Sequence, residues 1–210
     1  MDQPRIAPAT LIAADFEQIY QDDDHLLSHC RVENTTIPAT PIVHPMLEQV
    51  YFKNVNFSGR TFERLELTDV IFDGCDFSNC HFEGASIFRT RFTGCKLIGV
   101  DLTKAVLNNV SFDQCRLDLA ILCEMKWKVV NFTACALTDA SIMQDHFTRV
   151  KFDHCQLDKV AFNQTKLKGV DLSSCSFDRL DLEAAMARGM TVNLYQAANL
   201  AAYFNGIHVK

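Results

Sequence analysis

Residues 70–100 read VIFDGCDFSNCHFEGASIFRTRFTGCKLIGV, and a period of five runs through them. Phe72, Phe77, Phe82, Ile87, Phe92 and Leu97 stand five apart. Cys75, Cys80, Ala85, Cys95 and Val100 keep the same step, two places before a large residue. Extended outward, the large apolar column holds without a slip from Phe52 to Leu182, 27 consecutive positions filled by Phe, Leu, Ile or Trp. A helix repeats at 3.6 residues and a plain strand at 2, so neither produces a step of five. Two inward residues in every five, one large and one small, describe a narrow tube filled in alternating layers. Six of the eight glycines (Gly59, Gly74, Gly84, Gly94, Gly99 and Gly169) fall two places after the large residue. That is where a tight turn favours positive φ.

A longer period shows how many repeats close a coil. Cys75, Cys95, Cys115, Cys135, Cys155 and Cys175 recur every twenty residues. So do Phe52, Phe72, Phe92, Phe112, Phe132 and Phe152, and a valine series from Val50 to Val170 interrupted at Thr90. Like residues returning after four repeats predict ladders, each side chain resting on its counterpart one coil away, around a four-sided section. The solenoid is expected over residues 27–183, regular from 50, since the register continues weakly backward through Leu47, Ile42, Ile37, Val32 and Leu27. All five prolines lie at or before Pro45. Residues 1–26 are expected to cover the open end of the coil, as an exposed strand edge requires. In residues 184–210 the period changes. Leu194, Ala197, Ala198, Ala201 and Phe204 predict a helical stripe, with Asn193 as N-cap and Asn205-Gly206 as the stop. Ile207-His208-Val209 reads as a closing strand.

Composition narrows the function. Hydrophobic residues make up 48% and charged residues 22% of the 210, with a net charge of −6 and a pI of about 5.6. An acidic chain offers no surplus of Lys and Arg to displace phosphate counterions, so direct nucleic-acid binding is not expected, although such a chain can occupy a site that normally holds DNA. No apolar run is long enough to cross a bilayer, and the N-terminus lacks a signal-peptide pattern. A cytoplasmic location follows, where nine cysteines would stay reduced. The cysteine ladder places its thiols in parallel on one inner face, whereas zinc needs tetrahedral convergence, so neither metal nor disulfide is expected. Cys123 falls outside the inward columns and reads as exposed. Asp145 stands in the small inward column between Met125 and Thr165, which reads as a local distortion. Nothing beside Asp145, His146 and Cys123 supplies an oxyanion device. No catalytic, cofactor-binding or metal site is predicted, and the chain is not expected to be an enzyme.

Because four repeats make a turn, outward charges sort by face. The face of Leu122 carries Glu63, Glu83, Asp101, Glu124, Asp181 and Glu183 against Arg64 and Lys104, a net −4. The face of Trp127 carries Glu66 and Asp69 against Arg89, Lys126, Lys128, Arg149, Lys166 and Lys168, a net +4. The face of Leu117 adds Asp76, Asp118, Asp139, Asp158 and Asp178.

The five-residue register over roughly residues 27–183 resembles the pentapeptide-repeat family and its A-(D/N)-L-x-x pattern. That resemblance implies an all-β fold, a right-handed quadrilateral β-helix, here with a short C-terminal α-helix. Within the family, the ending from Val192-Asn193-Leu194-Tyr195-Gln196-Ala197-Ala198 to Gly206-Ile207-His208-Val209 resembles the Qnr-like quinolone-resistance proteins, as does the sequence around Lys126-Trp127. The Qnr-like resemblance implies a DNA-shaped homodimer that binds a type II topoisomerase, DNA gyrase or topoisomerase IV, and modulates it or protects it from quinolones. It places a binding surface on Glu63, Glu83, Asp101, Glu124, Asp118, Asp158 and Asp178, and a dimer contact on Leu200, Tyr203, Phe204 and Ile207. Many Qnr proteins carry loops that interrupt the repeats and help protect the enzyme from drug. The register here leaves no room for one. The alternative is a repeat scaffold for an unrelated protein partner.

Overall fold

From Leu26 onward twenty residues separate every pair of strand partners; before it, Ile12 lies on Cys30, eighteen residues away. Ile87 lies on Leu107, Leu107 on Trp127 and Trp127 on Phe147, and Phe52, Phe72, Phe92, Phe112, Phe132 and Phe152 follow one another in the same way, always in parallel. The computed structural model describes residues 1–207 as a parallel β-solenoid of about seven turns with one C-terminal helix. The four sides are of two kinds. The faces of Trp127 and Phe112 merge into continuous eight-residue strands, Ser86–Thr93, Val106–Asp113, Lys126–Thr133 and His146–Asp153. On the face of Leu117 the chain makes tight turns, closed by bonds such as Ala120 N–H to Leu117 O (3.1 Å) and Val160 N–H to Leu157 O (3.1 Å), with single bridges between coils.

The corner after each large residue from Phe52 to Leu167 is left-handed whatever residue fills it. Gly94 has φ 60°, as the glycine phase predicts, but Leu119 stands at 60° and Val129 at 59°. A β-branched side chain there works against its own preference. The bonds that stack the coils hold it in place, Leu119 N–H to Thr138 O at 3.0 Å for one.

The tube is filled by rings in register. Along the Phe112 face, successive phenylalanines stack with centroids 4.8–5.1 Å apart and planes within 15°. This is the strand spacing expected of a parallel sheet. The cysteines of the ladder are buried and free, each Sγ from Cys95 onward directed at the carbonyl of a phenylalanine 23 residues earlier. At the first end Phe16 and Ile19 insert from a short 3-10 helix, Phe16–Tyr20, and Phe16 meets the rings of Phe52, Phe57 and Phe62. Phe16 and Ile19 thus fill the first end of the tube. The first residues of the chain also run along a corner, where the Arg5 N–H donates to Asp69 and the Asp2 N–H to Asn109.

The other end differs from the sequence reading in two respects. Coil bonding continues past 183, with Leu172 N–H to Thr191 O (2.9 Å) and a bridge from Asp171 to Thr191. The helix Leu194–Asn205 has the expected N-cap at Asn193, which forms a capping box with Gln196, and the expected stop at Gly206, but not the expected stripe. Leu194 is 92% exposed and Ala197 faces solvent; the buried residues are Gln196 and Leu200, with Phe204 half-buried beside them. The physical reason is polar. The last coil leaves carbonyls without a coil above them, and Gln196 Nε2 donates to Leu172 O (3.0 Å) and Cys175 O (2.7 Å). An apolar stripe cannot supply those donors. His208 and Val209, read as part of a closing strand, lie outside the described residues.

The strand ladder breaks once. Among the described residues no backbone hydrogen bond joins His146–Asp153 to residues 166–173. Two hydroxyls bracket the gap: Thr165 Oγ1 accepts the Asp145 N–H (3.1 Å) and Ser174 Oγ the His154 N–H (3.2 Å). Phe147, inside it, is the only large inward residue from Leu27 to Leu182 that is not fully buried.

Candidate functional site

The seven acids expected on the binding surface fall on two neighbouring sides, the turn-built faces of Leu117 and Leu122. They do not form a straight stripe. Glu63 and Glu83 stand just after the large residues of the Leu122 face, Asp101 just before one, and Asp118, Asp158 and Asp178 across the corner on the Leu117 face. With Asp139 at the corner itself, they trace an oblique band along the edge shared by the two faces. Glu124 lies to one side, at the far corner of the Leu122 face.

The band is held by local bonds. Asp101 Oδ1 accepts from the Thr103 N–H (2.9 Å) and hydroxyl (2.6 Å). Asp158 Oδ1 accepts from the amides of Asp178 and Arg179, and Asp178 Oδ1 from the Tyr195 hydroxyl at 3.1 Å. Part of the charge is met internally: Lys104 pairs with Glu83 at 2.9 Å, and Arg116 with Asp118 at 3.2 Å. The Glu83 carboxylate raises the Lys104 ammonium above its ordinary range. Glu63 and Glu124 are exposed and make no ion pair among the described residues.

Of the residues expected at a dimer contact, Tyr203 (44%) and Ile207 (52%) are exposed and Phe204 is half-buried. Leu200 is buried against the last coil of its own chain. Leu194 and Tyr195, which the sequence reading did not place there, extend the exposed apolar surface of this end.

The interior holds one unusual group. Asp145 Oδ1 accepts the Met125 N–H at 2.6 Å, while Asp145 Oδ2 and Trp127 Nε1 are buried without a hydrogen-bond partner. Burial pushes the Asp145 carboxyl up to about 7, against the pull of the Met125 and Trp127 N–H groups. The Asp145 carboxyl thus takes the Met125 amide that elsewhere closes the turn, as Ala105 N–H does onto Leu102 O. This is the distortion the sequence suggested, and it sits at the ladder break. Cys123, expected to be exposed, is half-buried with Sγ toward Ser141 O (3.7 Å), and burial raises its thiol. Burial pushes Cys80 up to about 12 and Cys30 up to about 11, so these thiols stay protonated and inert. Among the described residues no group of three or more His, Cys, Asp or Glu is arranged to hold a metal, and no helix is long and apolar enough to cross a membrane.

Comparison with known proteins agrees with the repeat. Residues 65–142 match the family described as pentapeptide repeat region, and residues 155–189 the family described as pentapeptide repeats (8 copies). Among solved structures, full-length QnrB1, a plasmid-mediated fluoroquinolone resistance protein, is 17% identical over 85% of this chain and 98% of its own, with a TM-score of 0.33. HetL, a pentapeptide repeat protein involved in heterocyst differentiation regulation in the cyanobacterium Nostoc, is 18% identical over 80% and 85%, with a TM-score of 0.37. No curated protein sequence matches the chain.

Proposed function

This chain belongs to the pentapeptide-repeat family, and we propose that it is a non-enzymatic binding rod whose partner is a type II topoisomerase, DNA gyrase or topoisomerase IV, engaged where that enzyme holds DNA. The observation that carries this reading is the oblique acidic band. Glu63, Glu83, Asp101, Asp118, Asp139, Asp158 and Asp178 are seven carboxylates over nearly six coils, or ~28 Å at the parallel-strand spacing. That is one carboxylate per ~4 Å, near the ~3.4 Å phosphate spacing of a single strand of B-DNA, while Lys104 and Arg116 offset Glu83 and Asp118 and Lys159 and Arg179 share the corner of Asp139. The band matches one strand of the duplex in the spacing of its carboxylates and only partly in net charge.

A saddle that binds DNA is basic because it must neutralise phosphate. A rigid coil offers its carboxylates already positioned, without the ordering cost a flexible acidic tail incurs on docking. Such a rod works by occupancy and requires no catalytic group, cofactor or metal. The exposed Leu194, Tyr195, Tyr203 and Ile207 support two-fold joining through the C-terminal ends, which would lengthen the rod. The nine free thiols suit a reducing cytoplasm. Whether the outcome is inhibition or shielding from quinolones is read by one experiment: supercoiling by purified gyrase at increasing protein concentration, with and without a fluoroquinolone. The proposal expects a loss of supercoiling or a shift in drug sensitivity that disappears in Glu63→Lys/Glu83→Lys/Asp101→Lys. A wild-type protein without either effect would leave only the repeat-scaffold reading.

A further inference from the structure

We infer that the Trp127 face carries a second interaction surface, of the opposite sign, that takes an acidic polypeptide segment. From Ser86 onward the outward positions of this face and its corner toward the Phe112 face hold no Asp or Glu, while Lys126, Lys128, Arg149, Lys166 and Lys168 fall within three consecutive coils. Strand register sets Lys126 against His146 and Lys128 against Thr148; Lys166 and Lys168 take the same places in the repeat one coil further, beyond the ladder break, and Arg149 stands at the adjoining corner. All five are exposed, and among the described residues none makes an ion pair or a side-chain hydrogen bond. Four cations of the rod are matched, Arg89 with Asp69, Lys96 with Asp76, Lys104 with Glu83 and Arg116 with Asp118, and none of these belongs to the block. Lys126 and Lys166, and Lys128 and Lys168, stand two coils apart, about 10 Å at the strand spacing, with Arg149 between them at the corner; like charges at that range repel on a rigid lattice, and an acidic ligand relieves the repulsion.

The shape of the block selects the ligand. It is a stripe bounded by acids, with Glu124 and Glu183 on the Leu122 side and Asp153 and Asp171 on the Phe112 side. A duplex is wider than one face, and its flanking phosphates would come within a Debye length of those acids. A single extended segment carrying Asp or Glu fits between them. The chain itself supplies a small precedent: its N-terminal arm lies along the same corner, and Asp2 lines a depression shared with Lys128 and Arg149.

The probe is fluorescein-labelled octaglutamate, with labelled oligothymidylate of eight nucleotides as the competing class, read by fluorescence anisotropy. The wild-type protein should bind octaglutamate more tightly than oligothymidylate. Lys128→Glu/Arg149→Glu/Lys168→Glu should weaken binding by roughly tenfold or more, and the milder Lys128→Gln/Arg149→Gln/Lys168→Gln by less, with circular dichroism and melting unchanged. Glu63→Lys/Glu83→Lys should leave octaglutamate binding intact, which separates this surface from the topoisomerase reading. The inference is overturned if octaglutamate binding is absent or survives both triple variants, or if oligothymidylate binds more tightly.

Discussion

Phe112 and Phe132, twenty residues apart in sequence, lie with ring centroids 4.8 Å apart and planes only 5° from parallel. Both are almost wholly buried in the middle of the tube, with a further ring above and below. Neither can be shortened without leaving a void that coils bonded on both sides cannot close. Phe112→Ala and Phe132→Ala should each cost ~3–5 kcal/mol, whereas Thr133→Ser on the outer surface should cost under about 0.5. Urea denaturation of the three variants measures the contrast, and equal losses would contradict the inside-outside assignment.

Asp145 should make the fold more stable in mild acid. Its carboxyl is raised in the folded chain to about 7 from an ordinary 3.8. Between those values the folded state keeps a proton that the unfolded state has released, so stability falls as pH rises through the window and levels off above it. Trp127, the only tryptophan, lies beside the group and reports it directly. Its fluorescence should titrate with a midpoint near 7, and Asp145→Asn should abolish the titration and flatten melting temperature against pH. A wild-type curve without that transition would contradict the environment described for Asp145.

Gln196 should be worth more than an apolar residue of its size. It is 1% exposed, completes the capping box and bonds the carbonyls of Leu172 and Cys175. Gln196→Leu leaves the Cys175 carbonyl without a donor, while Leu172 O keeps the Cys175 N–H, and should cost on the order of 1–3 kcal/mol. Hydrogen exchange should speed first at residues 165–192, the coil beneath the helix. Uniform acceleration along the rod would show that the helix does not act as an end plug.

The C-terminal end should join two copies. Leu194, Tyr195, Tyr203 and Ile207 form an exposed apolar surface at the end of a closed solenoid, of the kind that marks an interface. Sedimentation of the intact chain at micromolar concentration should give a dimer, and Leu194→Glu/Ile207→Glu a monomer with unchanged secondary structure. A wild-type monomer would reject the proposal.

The fold was legible because its constraint is local and repeated. Every fifth residue from Phe52 to Leu182 must enter a tube, and each coil restates the rule. The corner was only partly legible. Glycines mark it, yet Leu119 and Val129 adopt the same left-handed backbone because coil-to-coil hydrogen bonds override residue preference. The helix at the end was placed correctly and its buried side misread, since an apolar count cannot see the orphan carbonyls that draw in Gln196. The broken ladder at His146–Asp153 was hidden for a similar reason: the large residues keep their step through the break, and what marks it are side-chain bonds of Asp145, Thr165 and Ser174 on either side. The acids of the candidate surface were all visible. Their joining into one oblique band across two faces needed the corner geometry, because sorting by face divides the band in half.

The central claim is that this rod occupies the DNA-binding saddle of a type II topoisomerase, and competition measures it most directly. Purified gyrase bound to a labelled DNA duplex is titrated with the protein, and displacement is followed by anisotropy at two salt concentrations. The account predicts that the wild-type chain displaces the duplex, more weakly at higher salt because the carboxylate band is screened over ~8 Å at physiological ionic strength. It predicts that reversal of Glu63, Glu83, Asp101 and Glu124 to Lys, with the fold intact, removes the displacement. Gyrase that keeps its duplex at tens of micromolar wild-type protein, or loses it equally to the reversed variant, would contradict the account.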